Sequence, residues 1–155
     1  MNEFGVRVLG IPDCKEALLA LVPKLRKRIL RNALASGARV YRDDAKRLTP
    51  ILKTRSKYRN VGTVRNAIKV RTSKQSTRRG DVGVFVNVRP AKGGQRGAKN
   101  PNDPFYWRFL EFGTTKMSGR RFLTNATKKT TEVLAKITAS LVKSLEKINT
   151  PGGTK

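Results

Sequence analysis

Few residues in this sequence are able to do chemistry. Of 155 positions, 35 are Lys or Arg, ten are Asp or Glu, and none is His. Without an imidazole the chain lacks the side chain most used as general base and as metal ligand. The single cysteine, Cys14, excludes an internal disulfide and a cysteine-based zinc site. Asp43 and Asp44 are adjacent on an expected helix, so their side chains diverge by about 100°, whereas two carboxylates sharing acid–base work must converge. Flanked by Arg42, Lys46 and Arg47, they are expected to be solvated ion-pair partners. The stretch Gly93-Gly94-Gln95-Arg96-Gly97-Ala98-Lys99 lacks the Lys-Ser or Lys-Thr step of a phosphate loop, and no helical pattern follows it. Asn125-Ala126-Thr127 matches a glycosylation sequon that means nothing without a secretory leader. The expectation is a non-enzyme with no cofactor and no metal.

What remains is charge. The formal balance is +25, which predicts a polyanion or an acidic protein surface as partner. Residues 45–80 hold twelve Lys or Arg and no acid. The candidate contacts to DNA or to an acidic partner are Lys74, Arg78, Arg79, Arg89, Lys92, Arg96 and Lys99, all in expected loops. Only Tyr58 interleaves with the acid-free run before the expected hairpin. Base stacking is therefore disfavoured against duplex-backbone contact or protein assembly. No run of about 18 apolar residues exists to span a membrane. The start, Met1-Asn2-Glu3-Phe4, does not read as a signal peptide, so folding is expected in a reducing cytoplasm.

The elements that must position these residues follow from hydrophobic periodicity. Phe4–Val8 alternates as a short strand. Ile11-Pro12-Asp13 opens a helix with Asp13 as its expected cap, after which Leu18, Val22, Leu25, Ile29 and Ala33 share one face. Pro23 marks either a kink or a first turn. The pattern resumes through Val40, Tyr41, Ala45 and Leu48, and Thr49-Pro50 ends it. Ile68, Val70 and Thr72, then Val82, Val84, Val86 and Val88, predict an antiparallel hairpin joined by a basic, flexible Ser73–Gly80 connection. Arg89–Pro104, with three prolines, three glycines and four cations, reads as a long mobile loop. Arg120–Leu123 is a possible further strand. From Thr124 a second long helix places Ala126, Thr130, Leu134, Ile137, Leu141, Leu145 and Ile148 on one face. The expected fold is α+β: two long helices packed on a small antiparallel sheet, with extended basic loops. It forms a single domain over 1–150, followed by a flexible tail, 151–155.

The densest signal is Phe105-Tyr106-Trp107-Arg108-Phe109-Leu110-Glu111-Phe112-Gly113-Thr114. So many large apolar groups in so short a span must enter the core or a subunit interface. Gly113 offers a positive-φ helix end, and Glu111 can accept backbone N–H groups or pair with an arginine. The box resembles the motif of the phage tail-completion family (minor tail protein Z-like, head–tail joining), in which Glu-Phe-Gly-Thr is followed by a short loop and a Phe-Leu element opening a final helix. Arg121-Phe122-Leu123-Thr124-Asn125-Ala126 is the counterpart of that element without its prolines. Upstream, the basic helix, Thr49-Pro50 and Gly62-Thr63-Val64-Arg65-Asn66-Ala67-Ile68 are similar as well.

The resemblance implies a structural virion protein of the neck of a tailed phage, made in the host cytoplasm. Its partners would be its own copies in a ring (six or twelve), other neck, connector and tail-tube proteins, and packaged DNA held without sequence preference, with no membrane. It marks Tyr106, Trp107, Phe109, Leu110, Glu111, Phe112, Gly113, Thr114, Phe122 and Leu123 as core or interface. A tail-tube terminator or a head-closure protein is the alternative within the neck. A stand-alone non-specific nucleic-acid binder is the alternative outside it, one that leaves the aromatic box unexplained.

Overall fold

The structure is a computed structural model, and it describes residues 11–93 and 95–149. The expected Phe4–Val8 strand and the 151–155 tail lie outside them. Seven helices, two two-stranded sheets and a 3₁₀ turn follow one another among the described residues, an α+β fold as expected. The chain divides into two compact units. One comprises 1–37, 72–84 and 131–155, and the other comprises 38–71 and 85–130.

In the first unit, α1 (Ile11–Leu19), the opening half of α2 (Pro23–Leu48) and most of α7 (Thr130–Asn149) share a core of Cys14, Leu18, Ile29 and Leu145. Pro23 is the first residue of α2, where its missing N–H costs nothing. Val22 therefore falls in the break between helices and is 68% exposed, off the face its spacing suggested. Asp13 sits inside the first turn of α1 rather than before it, still favourably placed at the positive end of the helix. On α7 it is Val133 that is buried, while Leu134 is 58% exposed. Gly37 explains the choice. A Cβ at Gly37 would lie 2.5 Å from Ile137 Cγ1 and 3.1 Å from Val133 Cγ1, so the bare glycine lets α2 and α7 approach with Val133 and Ile137 facing it. The Ser73–Gly80 connection, expected as a flexible loop, contains a helical turn, α4 (Lys74–Arg78). Ser73 Oγ caps it by accepting the Ser76 N–H at 3.2 Å.

The second unit holds all but the last residue of β1 (Ile68–Thr72) and all but the first of β2 (Val84–Val88), which pair as a hairpin. The Arg89 N–H donates to Ala67 O (2.8 Å) and the Ser73 N–H to Gly83 O (2.7 Å), which fixes the ladder as antiparallel. Val82 stays outside the strand. Ile68 and Val88 face a core with Ala45 from the closing half of α2, Val64 from α3 (Thr63–Ala67), Tyr106, and Phe122 and Ala126 from α6 (Phe122–Ala126). Phe122 and Ile68 are fully buried, each contributing roughly 2–3 kcal/mol of apolar transfer. At the end of α2, Thr49 Oγ1 donates to Ala45 O at 2.6 Å, and Pro50 follows. Asp44, expected to be solvated, is buried at 7% exposure and takes Arg47 at 2.7 Å and Lys129 at 3.8 Å. Burying a carboxylate is tolerable only with such partners. Asp43 remains outside, gripped by Arg42, whose hydrogen bonds at 2.8 and 2.9 Å hold that carboxyl below its usual range.

Candidate functional site

The aromatic box forms α5 (Trp107–Phe112) and runs straight into a tight hairpin of β3 (Gly113–Thr114) and β4 (Met117–Ser118), paired Gly113 to Ser118 and Thr114 to Met117. Arg120–Leu123 is not a strand. Arg121 takes φ +48 and Phe122 opens α6 there, two residues before the expected helix start. That helix and the 3₁₀ turn Thr127–Lys129 precede α7.

Glu111 holds this region together. Its side chain is 2% exposed, and it accepts the Leu123 N–H at 2.8 Å, the Thr124 N–H at 2.9 Å and the Thr124 hydroxyl at 2.6 Å. These are amides of the first turn of α6, which have no intrahelical partner. Arg121, in the cap position, makes no side-chain cap bond. A carboxylate from α5 therefore does the capping from twelve and thirteen residues upstream. Two glycines allow the approach. Gly113 has φ +87 and ψ −175, backbone almost reserved for glycine. A Cβ on it would meet Gly119 N at 2.6 Å, and one on Gly119 would meet Glu111 O at 2.6 Å. The backbone bonds Arg120 N–H to Leu110 O (2.7 Å) and Arg121 N–H to Glu111 O (3.1 Å) close the turn.

The box divides by exposure. Tyr106 is buried, and Phe105, Trp107, Leu110 and Leu123 pack half-buried against the core. Phe109 and Phe112, one turn apart on α5, are 50% and 73% exposed, and Met117 in the hairpin is also exposed. Thr114 is exposed, its Oγ1 accepting the Lys116 N–H at 3.3 Å. The Tyr106 ring lies under the Arg59 guanidinium at 4.7 Å. Burial raises its phenol above the ordinary range, against weaker lowering by Thr63 and Arg59.

The candidate cations fall in both units. Lys74, Arg78 and Arg79 belong to α4 and its end. Arg89, Lys92, Arg96 and Lys99 belong to the 89–104 loop, and all seven are exposed. That loop, expected to be mobile, is tied down by Asp103. This carboxylate is 3% exposed and accepts the Ala91 N–H at 3.1 Å and the Gly97 N–H at 2.7 Å. Sequence reading passed over Asp103. Its one signal was an acid set between prolines in an otherwise cationic loop. No group of His, Cys, Asp or Glu among the described residues is arranged to hold a metal, and no described helix is long and apolar enough to cross a membrane.

Residues 15–113, from α1 through the Glu-Phe-Gly of the box, match the family model described as "Bacteriophage HK97-gp10, putative tail-component". The chain belongs to the HK97-gp10-like family. It is thus a structural component of a phage tail, a protein of the virion, as its resemblance to tail-completion proteins led us to expect. No curated protein and no solved structure matches the chain. For an HK97-gp10-like tail component the natural partners are other tail proteins. The box at the end of the matched region is the part whose geometry bears most directly on such contacts.

Proposed function

We propose that this tail component works in the neck of the virion as a ring of identical subunits. The ring completes the tail or joins it to the head, and it lines the channel the genome crosses. The role is architectural, without catalysis.

One observation carries the reading. The same α5 that buries Glu111 to cap α6 leaves Phe109 and Phe112 exposed side by side. Two exposed phenyl rings on so rigidly braced a helix suit a subunit interface, where aromatic groups concentrate the binding energy. A closed ring needs one such heterologous surface repeated around an axis. The charge of +25 per copy supports a place beside DNA or acidic neighbours, and it opposes assembly of the free protein until they arrive.

Negative-stain imaging of phage particles carrying an epitope-tagged copy tests this. A closed ring at the head–tail junction is the expected image. A single copy, or label along the tail tube or at its distal end, overturns the reading. A dedicated nucleic-acid binder would instead prefer one sequence or strand state by about a thousandfold or more.

A further inference from the structure

The second unit carries a cleft of about 410 Å³ between α3, β1 and the start of the 89–104 loop. Lys69, Arg89 and Lys92 supply its charge, Asn60, Asn66 and Asn102 its amides, and no carboxylate lines it. Asn102 Oδ1 already accepts from Asn60 Nδ2 at 2.6 Å, so its own amide hydrogens remain to donate. The nearest acid in the loop, Asp103, spends its two oxygens on the Ala91 and Gly97 amides, which fixes the backbone that carries Arg89 and Lys92.

The positive surface continues past the cleft. Lys46 lies close enough to Lys69, Arg65 and Arg42 that its ammonium is pushed below its usual range, first by burial and then by Arg42 and Lys69. Asp43 opposes the shift and Arg65 adds to it. Crowding like charges costs folding free energy and invites a polyanion to relieve it. A comparable basic groove in the first unit, along Lys24, Lys27 and Arg31, includes Asp81 among its walls.

We propose that the Lys69–Arg89–Lys92 cleft is a phosphate site that holds the backbone of the passing DNA, with Asn60, Asn66 and Asn102 as neutral donors. This deepens the channel reading and rests on it. Cations with Asn side chains are the usual contacts to phosphodiester oxygens, and such contacts read no sequence. The extended row from Lys46 to Lys92 fits a polymer with a charge at every step better than the scattered carboxylates of an acidic protein. The clamp of Asp103 presents the cations already ordered, which lowers the entropic cost of binding.

The test uses the full-length protein, a mixed-sequence duplex and a poly-glutamate of equal charge, titrated across a range of salt. Two triple variants each remove three charges. Lys69→Gln/Arg89→Gln/Lys92→Gln empties the cleft, and Lys136→Gln/Lys143→Gln/Lys147→Gln discharges the exposed face of α7. Thermal melts confirm that both fold. The cleft variant is expected to lower the log–log salt slope of duplex binding by about three, roughly one per lost phosphate contact, with the α7 variant lowering it by less than one. Equal losses in the two variants, with wild type binding duplex, overturn the site and leave the channel reading standing. Wild type that fails to bind duplex at low salt overturns both the site and the DNA-lining part of that reading. Tighter binding of poly-glutamate than of duplex, lost in the cleft variant, overturns the phosphate assignment in favour of an acidic protein.

Discussion

Glu111 Oε1 accepts both the N–H and the hydroxyl of Thr124, at 2.9 and 2.6 Å, and so ties the end of α5 to the first turn of α6. The carboxylate of the family box spends both its oxygens on the start of α6. It is a helix cap delivered through tertiary structure, and it fixes the platform on which Phe109 and Phe112 stand.

Removing that cap is the first expectation to check. Glu111→Ala leaves the part-buried Leu123 and Thr124 amides without their acceptor and should cost about 2–3 kcal/mol, mainly the lost cap. Glu111→Gln keeps one acceptor oxygen and should lose about 1–2 kcal/mol. Urea denaturation orders the two. Equal stability of Glu111→Ala and wild type contradicts the capping role.

Two glycines of positive φ, Gly113 in the hairpin and Gly93 in the 89–104 loop, give a paired test. Gly113→Ala must adopt a conformation almost reserved for glycine and also drive a methyl to within 2.7 Å of Met117 O. It is expected to cost more than about 3 kcal/mol. Gly93 also has positive φ, at +70, but a Cβ there meets nothing within 4 Å. Gly93→Ala should cost only about 1 kcal/mol. Thermal melts of the two proteins separate backbone strain from steric conflict.

The exposed rings predict a separation of stability from assembly. Phe109→Ser and Phe112→Ser should change the stability of the isolated chain by about 0.5 kcal/mol or less. The double variant should nonetheless fail to enter particles in a complementation assay scored by infectivity. Normal incorporation would remove these rings from any interface.

Asp103 predicts the behaviour of the basic loop. In wild type the segment around Arg96 and Lys99 should resist trypsin longer than its glycine content suggests. Asp103→Ala releases the Ala91 and Gly97 amides and should bring cleavage at Arg96 and Lys99 forward by about tenfold, the equivalent of 1–2 kcal/mol of local opening. Mass spectrometry of the first fragments reads this directly.

Tyr106 predicts an alkaline effect. Its phenol is held above the ordinary value of 10.0 in the folded chain. The unfolded chain therefore loses that proton first as pH rises, and stability is unchanged below pH 10 but falls above it. The phenolate absorbance of wild type minus that of Tyr106→Phe should appear only above pH 10. The alkaline loss of stability should be smaller in Tyr106→Phe.

The amino-acid sequence by itself determined the helix-forming stretches, the valine hairpin, the breaks at Pro23 and Pro50, the cationic character and the box with its terminal glycine. All of these depend on local conformational preference or on a short hydrophobic period, which a few neighbouring residues set. It did not determine which of Val133 and Leu134 goes inside. Adjacent helical positions lie only about 100° apart, and the bare surface of Gly37, almost a hundred residues away, decides between them. Nor did it determine that Glu111 and Asp103 are buried or that Phe112 is not, since burial is a property of what arrives from elsewhere in the chain. The amides of Leu123 and Thr124, or of Ala91 and Gly97, make a buried carboxylate tolerable. Only tertiary structure brings them to it, because an unpaired buried charge costs too much to survive in any fold that leaves it alone.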